Sequence, residues 1–233
     1  KNNEGPYSMD EKPDWVDNLR MQGNGGIYQE SGDVTVKQAE LKNLIDERNA
    51  KLKLNPKGTA GNYYDLSTHD VKGNSVPRST ANCYIISHPG FYKIPLVYGN
   101  AITKGNPTST SYISSAPAVI IGGQDYVLHN FKDHNEQDIT DPWIEKTNGG
   151  ANNGIDGAKL VWADEANLVH FGSNPIVRNG NETFVQFEVK ESDIKQGNAV
   201  IAVMKNNVVV WSWHLWFDHK EVLETVKCTN FQG

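Results

Sequence analysis

Hydrophobic positions recur along this chain with two different periods. From Val36 to about Leu52, "VKQAELKNLIDERNAKL" sets Val36, Leu41, Leu44 and Ile45 at helical intervals with charges between them, which predicts one amphipathic helix over about 36–52. The pattern stops at "LNPKGTAG", where Pro56 and two glycines break it. After residue 60 the period becomes two. "NCYII" (82–86), "FYKIPLVY" (91–98), "AVII" (118–121), "YVLHNF" (126–131), "KLVWA" (159–163), "TFVQFEVK" (183–190) and "NAVIAVM" (198–204) are short β-branched or aromatic runs separated by Gly, Pro and Asn. Many short strands without helices between them predict a sandwich or a barrel. The widest gap, 132–158, holds "TNGGANNGIDG" and reads as a long exposed loop. Residues 1–33 are rich in Gly, Asn and acidic residues, with "QGNGG" at 22–26 as a flexible connection. The expected organisation is a leader with its helix over 1–58 and a β domain over 59–233.

The sharpest local expectation is a hairpin in "AVIAVMKNNVVVWSWHLWF", because Asn206 and Asn207 suit the positive φ angles of a two-residue turn. Regular pairing across that turn puts Val200, Ala202 and Met204 on one face with Val209, Trp211, Trp213, Leu215 and Phe217. That face is expected to be core, with Trp211, Trp213, Leu215 and Phe217 at its centre. The other face starts apolar, with Ile201, Val203, Val208 and Val210, and becomes polar at Ser212, His214, Trp216 and Asp218.

Composition narrows the function classes. With 233 residues, 37% hydrophobic and 21% charged, the chain is large enough to bury a substantial core. Its net charge of -6 and the lack of a basic stripe argue against nucleic acid as a partner. No apolar run approaches the length of a membrane span, and "KNNEGPYSMD" at the amino terminus lacks the apolar core of a signal peptide. The two cysteines, Cys83 and Cys228, fit either an exported disulfide or two inert buried thiols. If joined, they would close a loop worth about 5 kcal/mol in chain entropy.

Candidate chemistry is sparse. His214, Trp216 and Asp218 in a row could bind a sugar, the indole stacking on a pyranose face while its neighbours bond hydroxyls; a solvated or loop-covered sheet face accounts for the same residues. His214 and His219 fall on opposite sides of a regular strand, which argues against a metal, and His129, His134 and His170 lack ligand spacing. Asp133, Asn135, Gln137 and Asp138 partly follow a calcium loop but miss its sixth-position glycine and closing glutamate. Asp164 and Glu165 are adjacent and would diverge on a strand, so they make no acid/base pair. "NET" at 181–183 has the form of a glycosylation acceptor. The common hydrolase, zinc-protease and dithiol motifs do not occur, and neither a catalytic set, a metal nor a cofactor is expected.

Four stretches taken together resemble the fimbrillin-like surface lipoproteins of Bacteroides-type bacteria: "YDLSTHDVKGN" (64–74), "TANCYIISHPGFYKIPLVYGNAI" (80–102), "ITDPWI" (139–144) and "QGNAVIAVMKNNVVVWSWHLW" (196–216). The resemblance covers about residues 60–217. It implies a mainly β fold, an antiparallel β-sandwich of immunoglobulin or transthyretin type, and export to the extracellular face of the outer membrane through a lipid anchor that this chain does not carry. The function it implies is that of a non-enzymatic pilin-like subunit or adhesin. Its partners would be other pilus or surface subunits, or host glycans, and an incoming strand would complete the sheet. A carbohydrate-binding module on the His214, Trp216 and Asp218 face is the alternative. The chain stops at "CTNFQG", where the resemblance leads one to expect a further strand, and so reads as a fragment.

Overall fold

The computed structural model describes residues 14–22, 31–38, 42–113, 119–121, 124–126, 130–225 and 227–228. The protein is mainly β, with 39% strand, 11% helix and several sheets, and forms no barrel among the described residues. Two compact units divide between Asn43 and Leu44. The first holds β1 (Val16–Met21) and β2 (Gly32–Val36), an antiparallel pair. The second runs from Leu44 onward and contains helix α1 (Leu44–Leu52) and all the remaining strands.

The helix is shorter than the pattern predicts. Val36 belongs to β2, where it pairs with Val16, and Leu41 lies outside the described residues. Leu44 and Ile45 are exposed, so the apolar spacing there does not mark a core face; only Leu52 is fully buried. Because Leu52 joins the main hydrophobic cluster, the domain boundary falls before the helix rather than at 58/59. Asp46 and Glu47 in the first turn and Lys51 in the last complement the helix dipole, and Asn49 Oδ1 accepts the Gln196 N–H at 2.9 Å.

The strands of the second unit are β3 (Tyr64–Asp65), β4 (Cys83–Ile86), β5 (Gly90–Pro95), β6 (Ile102–Thr103), β7 (Asn106–Pro107), β8 (Val119–Ile121), β9 (Gln124–Tyr126), β10 (Gly157–Ala163), β11 (Ile176–Asn179), β12 (Glu182–Val189), β13 (Gly197–Lys205) and β14 (Val208–Phe217). One four-stranded sheet has the order β10-β13-β14-β4 and the other β11-β12-β5-β3, while β6-β7 and β8-β9 are small hairpins. The sheets are not wholly antiparallel: β4 pairs with β14, and β3 with β5, in parallel. A parallel pair needs a long connection, and most of the chain separates β4 from β14.

Alternation along the strands sends one side of each sheet into a single hydrophobic cluster. Ile86, Ile201, Val203, Trp213, Leu215 and Phe217 enter it from the first sheet and Tyr92, Ile94, Val185, Phe187 and Val189 from the second. Arg78 ties the segment after β3 to β12 through a bidentate pair with Glu182, and its guanidinium also lies 3.5 Å from Asp65.

The hairpin turn forms at Asn206 (φ 51°) and Asn207 (φ 64°), but the face assignment differs from regular pairing. Lys205 opposes Val208 and Met204 opposes Val209, then Val203 opposes Trp211 because Val210 forms a bulge. One extra residue moves every later partner of β13 to the other face. Ala199, Ile201 and Val203, not Val200 and Met204, therefore share the core side with Trp213 and Leu215. Val209 is exposed and Val210 buried. Trp213, Leu215 and Phe217 are fully buried, whereas Trp211 is half-buried, its ring edge-on to Tyr98.

The segment 132–158 is not an exposed loop. Ile139, Ile144 and Ile155 enter the hydrophobic cluster, and Thr147 and Asn152 are buried. Asp133 turns its carboxylate inward, where Oδ1 accepts the N–H groups of Asn135 and Gln137 and Oδ2 the Asn152 amide. Asp138 pairs with Lys132. These carboxylates are occupied in folding their own segment.

Candidate functional site

The outer side of the β10-β13-β14-β4 sheet carries the polar groups of interest, and register alone decides which of them meet. The Asn82 carbonyl accepts the His214 N–H at 2.9 Å, which sets β4 against β14 with Cys83 opposite His214. His214 opposes Val200, and Val200 opposes Trp162. Directly opposed residues point to the same face, so Trp162, Val200, His214 and Cys83 form one cross-strand row. The next row holds Asn198, Trp216 and Ile85.

His214 bridges the two rows. Its Nδ1 lies 3.1 Å from Cys83 Sγ and its Nε2 2.9 Å from Asn198 Oδ1. Asn198 is in turn held by Asp164, whose carboxylate accepts the Asn198 backbone N–H at 2.6 Å and its Nδ2 at 2.9 Å. Gly197 permits this approach, since a Cβ there would stand 2.5 Å from Asp164 Oδ1. Burial would raise the Asp164 carboxyl, but the bonds from Asn198 outweigh it and hold the group below its ordinary range. Burial pushes the Cys83 thiol up, so at rest it carries its proton. Cys83 and Cys228 are both free and exposed, neither joined nor buried.

Of the three residues singled out as a sugar row, the structure brings His214 and Trp216 together on this face and leaves Asp218 out. Asp218 is buried, accepts from Gln196 Nε2 at 2.6 Å and caps His219 N–H at 2.8 Å. Trp216 is half-buried; the exposed indole of the face is Trp162, at 52%. Sequence reasoning missed Trp162, Asn198 and Cys83 as members of the site. The other histidines serve local structure: His170 pairs with Asp193 at 2.7 Å and His134 contacts the Asn135 amide, while His129 lies outside the described residues. Asp164 and Glu165 follow the end of β10 and take different partners, Asn198 and Lys195, although both side chains approach Gly197.

Among the described residues no cluster of three or more His, Cys, Asp and Glu side chains is placed to hold a metal ion, and no helix is long and apolar enough to cross a membrane. A cleft of about 70 Å³ lined by Tyr64, His69, Tyr84 and Tyr92 includes none of Cys83, His214 and Asn198. Comparison with protein-family models, with curated proteins and with solved structures gave no match.

Proposed function

We propose that the chain is a β-sandwich of immunoglobulin or transthyretin type acting as a structural or adhesive subunit, without turnover, on the extracellular face of a bacterial outer membrane. The sandwich reading is supported by the two four-stranded sheets that feed one hydrophobic cluster, and the surface role by the fimbrillin-like sequence blocks.

One observation carries the mode of action. Strand β10 lies at a sheet edge and exposes three consecutive apolar residues, Leu160, Val161 and Trp162, at 39%, 51% and 52%. An apolar edge strand offers an incoming strand both unpaired backbone groups and a surface to cover. The bulge between Leu160 and Trp162 and the exposed Lys159 limit indiscriminate pairing, so the edge selects a partner strand of matching register. Val161→Lys is expected to abolish association while changing stability by no more than about 0.5 kcal/mol. Sedimentation velocity and an unboiled SDS gel check this. A wild-type chain that stays monomeric at every concentration, alone or with its surface subunits, rejects the reading.

A carbohydrate-binding face is the second reading, favoured by the exposed Trp162 in the same row as His214, with Asn198 and Asp164 beside it. On that reading a glycan array shows binding that Trp162→Ala removes, with the unfolding transition unchanged.

A further inference from the structure

We propose that Cys83 is a nucleophilic thiol, with His214 as its general base and Asn198 as the residue positioning that base, and that it accepts acyl groups from activated esters or thioesters. This activity is additional to strand complementation and does not rest on it.

The hydrogen-bond directions follow in sequence from one carboxylate. Ionised Asp164 only accepts. Its Oδ2 sits 2.9 Å from the Asn198 side-chain amide, so that amide turns its NH₂ to Asp164 and its Oδ1 to His214. An amide oxygen also only accepts, so the hydrogen on the neutral imidazole resides on Nε2, 2.9 Å from Asn198 Oδ1. Nδ1 is left as a lone-pair acceptor, 3.1 Å from Cys83 Sγ. The thiol therefore donates to the base that would remove its proton, and the base is oriented by a third group. Cys-His-Asn acyl-transfer sites on unrelated folds share this logic.

A purely structural Cys–His contact would be expected to bury the sulfur and leave it inert. Cys83 is instead exposed; burial of part of its surroundings raises the thiol and opposes a resting thiolate, so the proton must pass to His214 Nδ1, 3.1 Å away, as the sulfur attacks. The surroundings select the reactant. Val200 and Trp162 flank His214 on one side, and Trp216 and Ile85 occupy the adjoining row. These apolar side chains beside the thiol suit an acyl donor with an aliphatic acyl chain.

In the step itself, Sγ attacks the acyl carbonyl carbon as the thiol proton passes to His214 Nδ1. The tetrahedral species collapses, the bond from the acyl carbon to the leaving oxygen or sulfur breaks, and His214 returns the proton to that leaving atom. The products are an S-acyl Cys83 and a free alcohol or thiol. No electrons are gained or lost overall.

The test uses p-nitrophenyl butyrate on the whole chain, following p-nitrophenolate release, intact mass and the mapped site of acylation. Cys228, the other exposed thiol, is the internal reference. Cys83 is expected to be acylated in preference to Cys228, and His214→Ala to slow Cys83 about 100-fold or more without affecting Cys228. Imidazole nitrogen NMR is expected to show the Nε2–H tautomer in the wild type and a mixture in Asn198→Ala, with Cys83 acylation slowed in that variant too. Should His214→Ala fail to fold, the Asn198→Ala comparison carries the test. Equal acylation of the two cysteines, an unchanged Cys83 rate in the variants, or an Nδ1–H tautomer in the wild type would overturn the proposal.

Discussion

Trp213→Ala is expected to lower the unfolding free energy by about 3–5 kcal/mol. Trp213 is among the largest side chains of the core, only 1% exposed, and sits across from fully buried Ile201 on the neighbouring strand. Truncation removes most of its apolar surface from the centre of the cluster, and the sheet on either side is too constrained by its ladders to collapse into the gap. Trp213→Phe is expected to cost far less than this. The indole Nε1–H is buried with no hydrogen-bond partner among the described residues, and an unpaired buried donor carries a desolvation penalty of about 1–3 kcal/mol. The phenyl ring relinquishes that penalty together with some area, so the two changes oppose each other. Denaturant unfolding of the three chains, with the midpoints compared at constant slope, checks both the size and the order. An alanine variant within about 1 kcal/mol of wild type would remove Trp213 from the core.

The same strand shows how far sequence reaches. Asn206 and Asn207 announce the turn, and alternation along 211–217 separates Trp213, Leu215 and Phe217 from Ser212, His214 and Trp216. Those signals are local, and both hold. Which residues of β13 lie across from them is not local, because a single bulge at Val210 reverses the face of the whole partner strand and nothing in "VVVW" marks it. The helix fails for a related reason. Leu44 and Ile45 have the right spacing, but spacing does not say whether a partner surface exists, and both remain exposed.

The candidate site was the least legible part. Cys83, Asn198 and His214 lie on three strands, and their meeting depends on β4 joining β14 in parallel. No pattern within "NCYII" distinguishes a strand that pairs with β14 from one that pairs with β5. A cysteine read by itself therefore offers only disulfide or buried thiol, the two environments it does not occupy here. The segment 132–158 misleads in the opposite direction: its glycines and asparagines read as solvent loop, yet isoleucines spaced between them at 139, 144 and 155 fill the core.

Gly90→Ala is expected to be as damaging as the loss of Trp213, although it adds a single methyl group. Gly90 opens β5 with φ 146°, a backbone conformation that residues with a Cβ rarely adopt. A Cβ at this position would lie 1.9 Å from the Lys57 carbonyl oxygen and 2.7 Å from the Lys57 carbonyl carbon and nitrogen. These atoms are main chain and cannot rotate away. They are also engaged: Lys57 N–H donates to the Pro89 carbonyl and Phe91 N–H donates to the Lys57 carbonyl, each at 2.8 Å. Relieving the clash would break both bonds and detach the segment that connects α1 to the sheet, so strain of about 1–3 kcal/mol adds to an overpacking cost of similar size. The expected total, about 3–5 kcal/mol, corresponds to a fall in melting temperature of roughly 10 °C for a chain of this length. Gly61→Ala is the matched control in the same segment, since its Cβ would meet nothing within 4 Å among the described residues; its melting temperature should stay near that of wild type. Equal melting temperatures for the two variants would mean that the Lys57–Gly90 crossing does not hold this segment to β5.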